Sequence, residues 1–366
     1  PGCLRSPEPP ARAAFAGGSQ APQRALRRRG ARGAPGAPGH VAARAEEQEG
    51  TDGIGKVRYL PPLDYGQKPD LEPSPGSLVL PCFPLGAVYM PYASPMLNIF
   101  EPRYRKMYSD ILFSGGRRFI VPPIRQGPAD DVSLGEVGVV FYLDDLQEVS
   151  EQTNDQVKFV CSHSVIGRVR LKKVLNPRSF ADQSTYLRVE CEDMVDSDAD
   201  ADCAEGEQRL EGLVRALQDL QVKSGIVPQS WWSSKDGAMN ATRGPGFWKL
   251  VGGWESYLGQ RMQTRKVTFE QDLQKLIVEY LKSTKAEMPP QVSLSELPVE
   301  LQREVALLQE QYREEISPLI RVYRDSVQVL VQAESHGERL ETLAGLLEEE
   351  RKRVEAQVAL KNIFGG

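Results

Sequence analysis

Between Val137 and Cys191 the apolar residues fall on every second position, whereas from Leu210 onwards they recur at spacings of three and four. A strand presents the first period and a helix the second, so the chain divides into a β-rich part followed by a helical part, an α+β class. In "EVGVVFYL", Val137, Val139 and Phe141 alternate with Gly138, Val140 and Tyr142. A hairpin is expected from "LQEVSEQ" through the turn residues Thr153-Asn154-Asp155 into "QVKFVCSHS". "VIGRVRLKKV" sets Val165, Gly167, Val169 and Leu171 against Arg168, Arg170 and Lys172, and "STYLRVECE" turns Leu187, Val189 and Cys191 inward. Such alternation predicts sheets with one wet face, closed or partly closed into a barrel over about residues 78–193. The basic stripe Arg168, Arg170, Lys172 and Lys173 then reads as a solvated strand face rather than a nucleic-acid surface.

Ahead of these strands lies "LPCFPLGAVYMPYASPMLNIFEPRYRKMY", Leu80 to Tyr108, apolar but interrupted by Pro81, Pro84, Pro91, Pro95 and Pro102. "SLVL" is predicted as a strand and "GAVYM" as a second one after the Pro84 break. "EPRYRKMYSDILFSGG" reads as a helix. Pro102 fits its first turn, Tyr104, Met107, Tyr108 and Ile111 share one face, and Gly115-Gly116 ends it. Glu101 with Arg103 or Arg105 is expected to secure the joint at the helix start.

The acidic run "DSDADAD", Asp196 to Asp202, marks the change of period. Asp196, Asp198, Asp200 and Asp202 occupy alternate positions of a calcium-loop pattern with Glu207 at its end. Ala201 stands where the sharp turn wants glycine, and a strand precedes instead of a helix, so the run reads as a solvated linker. Beyond it, Leu210, Leu213, Val214, Leu217 and Leu220 line a helix near 205–223. A Trp- and Gly-rich stretch containing Trp231, Trp232, Phe247, Trp248 and Trp254 follows and reads as the core of a small helical insertion. Thr268 and Gln271 are placed as a capping box for the next helix, with Phe269, Leu273, Leu276, Ile277 and Tyr280 as its stripe. "MPPQVSLSELPVE" is a connector. The last helices carry Leu301, Val305, Leu308, Tyr312 and Ile316, then Leu340, Leu343, Leu347, Val354 and Val358. Pro318 and Gly337 are candidate breaks.

The first forty residues differ in composition: seven arginines, no lysine, one acid and many Ala, Gly and Pro. Together with the switch to acid after "VAARA", this predicts an organelle-targeting leader, plastid (chloroplast stroma) first and mitochondrion as the alternative. The chain opens on Pro1, so its true N-terminus is expected to lie upstream. A net charge of −5 argues against a general nucleic-acid binder, and no apolar run approaches the ~18–20 residues that span a bilayer. The five cysteines are scattered without a CxxC pair, and His40, His163 and His336 sit at no metal-ligand spacing. Cys161 and His163 share a strand face and read as packing rather than a catalytic dyad. There is no phosphate-binding loop, nucleophile elbow or dinucleotide fingerprint. No catalytic residue, cofactor or metal is expected.

The opening segment resembles the start of the N-terminal substrate-binding domain of Lon proteases. Leu80, Pro81, Phe83, Pro84 and Leu85 match its first strand. Leu97, Ile99, Phe100, Glu101, Pro102, Arg103, Tyr104 and Arg105 match its second strand and the helix after it. "SLGEVGVVFYL" and "QVKFVCSHSVIGRVRLKKV" are similar to later strands of that domain, and the helices near 297–362 to its helical tail. Asn98 stands where the family usually has His, and "MPYAS" replaces its usual turn.

The resemblance implies a β-rich, PUA-like pseudo-barrel followed by helices. Composition and the resemblance together divide the chain into 1–50 (leader), 51–76 (Pro-rich linker), 77–195 (β domain), 196–296 (acidic linker and Trp-rich insertion, which matches no part of the family pattern) and 297–366 (C-terminal helices). The resemblance further implies a stand-alone Lon-domain protein of plant or algal type, without ATPase or protease domains. Its partners would be proteins: polypeptide clients or an adaptor, with no nucleic acid. The alternative is a structural subunit of an organellar complex, docked through the Trp-rich insertion and amphipathic helices. An enzymatic reading would need a site that no motif marks.

Overall fold

The computed structural model of the chain describes residues 55–66, 71–127, 131–223, 241–284 and 298–364. These lie in one compact unit, Thr51–Gly366, while the other unit, Pro1–Gly50, lies outside the described residues together with the expected leader. Trp231, Trp232 and most of the connector before residue 298 also lie outside them.

Five strands close on themselves: β1 (Leu78–Cys82), β3 (Arg118–Val121), β6 (Val137–Glu148), β7 (Phe159–Val174) and β8 (Leu187–Asp193). β7 pairs with β6, β6 with β3, β3 with β1 and β1 with β8, which returns to β7. Only β1 and β3 run parallel. β2 (Met96–Ile99) adds to the first half of β7, Met96 opposite Ser162 and Ile99 opposite Phe159. β4 (Ile124–Gln126) and β5 (Val132–Leu134) form a separate ribbon. The Pro-rich stretch before β1 is irregular yet held: Leu60 and Leu63 donate backbone hydrogen bonds to Leu134 and Val132 at 2.8 Å.

Cys82, Ile120, Val140, Val169 and Val189, one from each closed strand, pack together as the barrel interior. Phe119, Val121, Val139 and Phe141 face the other way and join a second core with the helices. The expected wet face is therefore absent on β6, whose residues Val137–Phe141 are all buried. Helices cover the outer side, and a strand buried on both faces loses its polar alternation. Gly138 is part of the reason the strands lie so close. A Cβ there would sit 2.8 Å from Ile120 Cγ2, 3.2 Å from the Val121 carbonyl oxygen and 3.3 Å from Pro122 Cα. Gly138→Ala is expected to cost about 1–3 kcal/mol by overpacking against backbone that cannot swing aside. An unchanged urea midpoint would refute that packing.

"GAVYM" forms no strand. Gly86 has φ +72° and Tyr92 φ +65°, which break any extended run. Val88, Tyr89 and Met90 instead lie against the second core as an irregular segment. The hairpin forms as expected, with Asn154 and Asp155 at φ +50° and +60°, and β7 runs unbroken through both stretches read after the turn.

α1 (Pro102–Phe113) buries Tyr104, Met107, Tyr108 and Ile111, the face its spacing predicts, and Pro102 opens it. A short α2 (Arg178–Asp182) precedes β8. α3 (Ala204–Lys223), α4 (Pro245–Thr284), α5 (Val299–Gln332) and α6 (His336–Phe364) make the helical part. α4 starts at Pro245, not at Thr268. The Thr268 hydroxyl lies mid-helix and donates to the Thr264 carbonyl at 3.0 Å, so the capping box does not exist. Phe247, Val251, Trp254 and Leu258 are buried at helical spacing, and that packing carries the helix through Gly252, Gly253 and Gly259. Pro318 lies inside a continuous α5, and the break falls at 333–335, just before Gly337 in the first turn of α6.

Candidate functional site

The opening block is joinery in this structure. Pro81 lies in β1 opposite Arg188, and Phe83 donates its N–H to the Ile120 carbonyl at 2.8 Å. The Phe83 ring stacks on Tyr104 with centroids 3.6 Å apart, and Pro84 is half-buried beside it. Ile99 is buried, Leu97 packs against the core, and Phe100 is half-exposed. Glu101 ends the extended run ahead of Pro102 and makes no side-chain cap. It receives instead Arg103 Nε at 2.8 Å, and the same guanidinium lies 4.6 Å from the Tyr104 ring centre. Arg105 donates to the Phe100 carbonyl at 2.8 Å and to the Asp155 carbonyl at 2.7 Å, tying the start of α1 to the β6–β7 turn.

Cys161 and His163 share a buried strand face, but chemistry there is suppressed. Burial pushes the Cys161 thiol up to about 12 and the His163 imidazole down to about 4. His163 Nδ1 lies 3.3 Å from the Pro95 carbonyl, which can only accept, so Nδ1 carries the proton. Nε2 is then left to accept from the Tyr108 hydroxyl at 2.8 Å. The ring is a neutral, locked core group, and a thiolate–imidazolium pair has no footing. Nothing local in the sequence pairs His163 with Tyr108, which lies on α1.

Part of the basic stripe and part of the acidic run are drawn inside, while Lys172, Asp200 and Asp202 stay exposed as expected. Arg168 is buried and donates to the Val331 and Ala333 carbonyls, both at 2.7 Å, and to Asp196 Oδ1 at 2.5 Å. Those carbonyls end α5, so the guanidinium satisfies acceptors that the helix leaves unpaired. Arg170 reaches Glu334 beside it. Asp196 also holds Arg339, with Nη1 at 2.9 Å, while Asp198 holds Arg243 Nη1 at 2.9 Å. Asp198 further accepts the His336 and Gly337 N–H groups at 3.0 and 2.8 Å, capping the start of α6.

Burial works against the Asp196 carboxylate, yet the Arg339, Arg168 and Arg243 charges outweigh it and hold its pKa below the ordinary value. Asp198 is likewise held well below its ordinary value, burial being outweighed by the α6 N–H groups and Arg243. These carboxylates are committed to cations and a helix end rather than to calcium. Among the described residues no group of His, Cys, Asp or Glu is arranged to hold a metal ion, and no helix is long and apolar enough to cross a membrane.

One open site that sequence reading missed lies between α4, α5 and α6. A cleft of about 390 Å³ has Trp254, Leu258, Leu319 and Leu346 in its floor. At one end the buried Glu350 gathers Tyr257, Arg261 Nη1 at 2.5 Å and Arg353 Nη2 at 2.6 Å. The sequence signal was the buried-spaced Trp254 and Leu258, but their partners lie about sixty to ninety residues onward in the chain.

No curated protein matches this chain. Many solved chains are similar, among them two Lon N-terminal domains. A Lon N-terminal domain protein from Xanthomonas campestris aligns at 23% identity and a TM-score of 0.29, covering 42% of this chain and 85% of that one. The N-terminal domain of the Mycobacterium avium complex Lon protease aligns at 10% identity and a TM-score of 0.29, covering 40% and 70%. Superpositions this loose carry no argument. The family described as the ATP-dependent protease La (LON) substrate-binding domain, however, matches residues 79–349, from β1 through the barrel and across α3 to α6. That span takes in most of the chain, and the chain belongs to this family.

Proposed function

We propose that the protein is a non-catalytic module that binds polypeptide clients, as a substrate-recognition unit or an adaptor. The family match across both barrel and helices carries this reading, because the matched domain is one defined by substrate binding. The locked His163 and the protonated Cys161 thiol support it, since neither offers a nucleophile or general base. Among the described residues Trp248 and Trp254 are both buried, so neither offers the subunit reading an exposed indole for docking.

The test compares reduced, carbamidomethylated lysozyme with native lysozyme by fluorescence anisotropy against the full chain. Saturable binding of the unfolded form alone is expected, with no ATP turnover by the pure protein. Equal or absent binding of both forms would sink the client reading, and ATP hydrolysis co-purifying with the chain would sink the non-catalytic one.

A further inference from the structure

We infer that the α5–α6 joint is an acid-released latch: a proton taken up by the buried His336 frees the starts of α4 and α6 from α3 while the barrel stays folded. The inference is independent of the client-binding reading.

A ring of hydrogen bonds passes through this histidine. The His336 N–H donates to Asp198 Oδ1 at 3.0 Å, and the Arg243 guanidinium donates to the same oxygen at 2.9 Å. The Arg243 N–H donates to Glu207 Oε1 at 3.0 Å, and His336 Nε2 lies 3.1 Å from that oxygen. A carboxylate accepts only, so Nε2 carries the proton and Nδ1 is bare. The ring joins the first turn of α6, the acidic run, the residues leading into α4 and the first turn of α3. Asp196 carries the connection on to Arg168 of β7 and Arg339 of α6.

The cluster is balanced only while the imidazole is neutral. Glu207 from α3, with Asp196 and Asp198 from the acidic run, supplies the carboxylates. Arg243 ahead of α4, Arg339 from α6 and Arg168 from β7 answer them, one guanidinium for each. Phe247 from α4 meets the ring edge-on with centroids 5.3 Å apart, and the Cys203 thiol lies against Asp198 and Arg243. Glu334 is held by Arg170 nearer the surface, and the exposed Glu338 accepts the Glu334 N–H. His336 is wholly buried, and its Nδ1 has no hydrogen-bond partner. A second proton would sit on a nitrogen without an acceptor and leave the cluster one positive charge in excess. Burial lowers the His336 pKa ahead of the opposing Glu207 hydrogen bond, and Arg339 and Arg243 lower it further. Once the joint opens, the ring returns to its ordinary value of 6.5. The latch is therefore fully closed above about pH 6.5 and weakens as pH falls.

The experiment is hydrogen exchange on the full chain at about pH 7.5 and pH 5.5, corrected for intrinsic rates. The His336, Gly337 and Arg243 N–H groups, all held by this cluster, report the joint, and those of β6 and β7 report the barrel. The joint should be less protected than the barrel at both values. It should lose about tenfold in protection over the interval, the ceiling for one group with an ordinary pKa of 6.5. In His336→Gln, which keeps a donor for Glu207 but takes no charge, that loss should shrink to about twofold or less. In His163→Gln, which removes the buried barrel imidazole, it should persist. Equal protection of joint and barrel would mean opening only by global unfolding, and would overturn the latch. So would a loss that survives His336→Gln or vanishes in His163→Gln. Should His336→Gln fail to fold, carbon-13 NMR of the wild-type histidine rings decides. A His336 midpoint below 6.5 that tracks the loss of joint protection supports the latch; a midpoint at or above 6.5 with the joint still protected overturns it.

Discussion

Arg168→Ala is expected to destabilise the protein by about 2–4 kcal/mol, chiefly because buried acceptors lose their donor at about 1–3 kcal/mol each. The change takes one of three guanidiniums from Asp196, whose side chain is only 14% exposed, and leaves it Arg339 and Arg243. It also leaves the Val331 and Ala333 carbonyls at the end of α5 without their donor. A control lies two residues along the same stripe. Arg170 pairs with Glu334 near the surface, and Arg170→Ala should cost at most about 1 kcal/mol. Urea unfolding of the two variants measures the difference. Hydrogen exchange should show the loss concentrated at the end of α5 and the start of α6. Equal, small shifts in both variants would mean that the meeting of strand and helix ends contributes little.

The second large effect is a loss of stability on mild acidification. His163 titrates near the ordinary value of 6.5 when unfolded, and burial lowers it to about 4 in the fold. The unfolded chain therefore binds the proton more readily between those values. The stabilisation is fully present above about pH 6.5 and is lost as pH falls towards 4. For one such group the loss between pH 8 and pH 5 is about 2 kcal/mol. His336, also lowered by burial although Glu207 opposes the shift, contributes in the same direction. The carboxylates of Asp196 and Asp198 act lower, because their depressed values keep them charged until below the ordinary carboxylate range. Chemical denaturation of the wild type and His163→Gln across this range is the check. The variant should be less stable at pH 8 but flatter with pH. A slope unchanged by the substitution would remove His163 from the acid response.

Local chemistry carried much of the fold. Pro102 and the Tyr104–Ile111 face determined α1, the Asn154-Asp155 pair determined the hairpin turn, and the change from period two to three-and-four placed the barrel before the helices. These features depend on neighbours within a few residues, which is why pattern reading reaches them. The Leu97–Arg105 block led to the family as a contiguous motif, although its contacts reach Cys161 and Asp155, fifty or more residues on. The misreadings share the opposite cause. "GAVYM" carries strand-like residues but is routed by Gly86 and Tyr92 as an irregular segment against the helical core. Thr268 and Gln271 spell a cap in a helix that Phe247 and Trp254 had already started.

The charged stretches are the sharpest case. Arg168 and Asp196 look solvated in any window of the sequence, because alternation makes the first polar-facing and the second opens a run with three further aspartates. Their burial is decided by α5 ending, and α6 beginning, over the outer face of β7, more than a hundred residues away in the chain. The cleft arises in the same way, from Trp254, Leu319 and Leu346 on three helices. The sequence by itself determined where strands give way to helices and which face of α1 is apolar, since hydrophobic period is a local property. Only the tertiary structure decided which charges are drawn inside and where apolar surface is left uncovered. Both depend on where helix ends fall relative to distant strands and helices, and no local spacing encodes that.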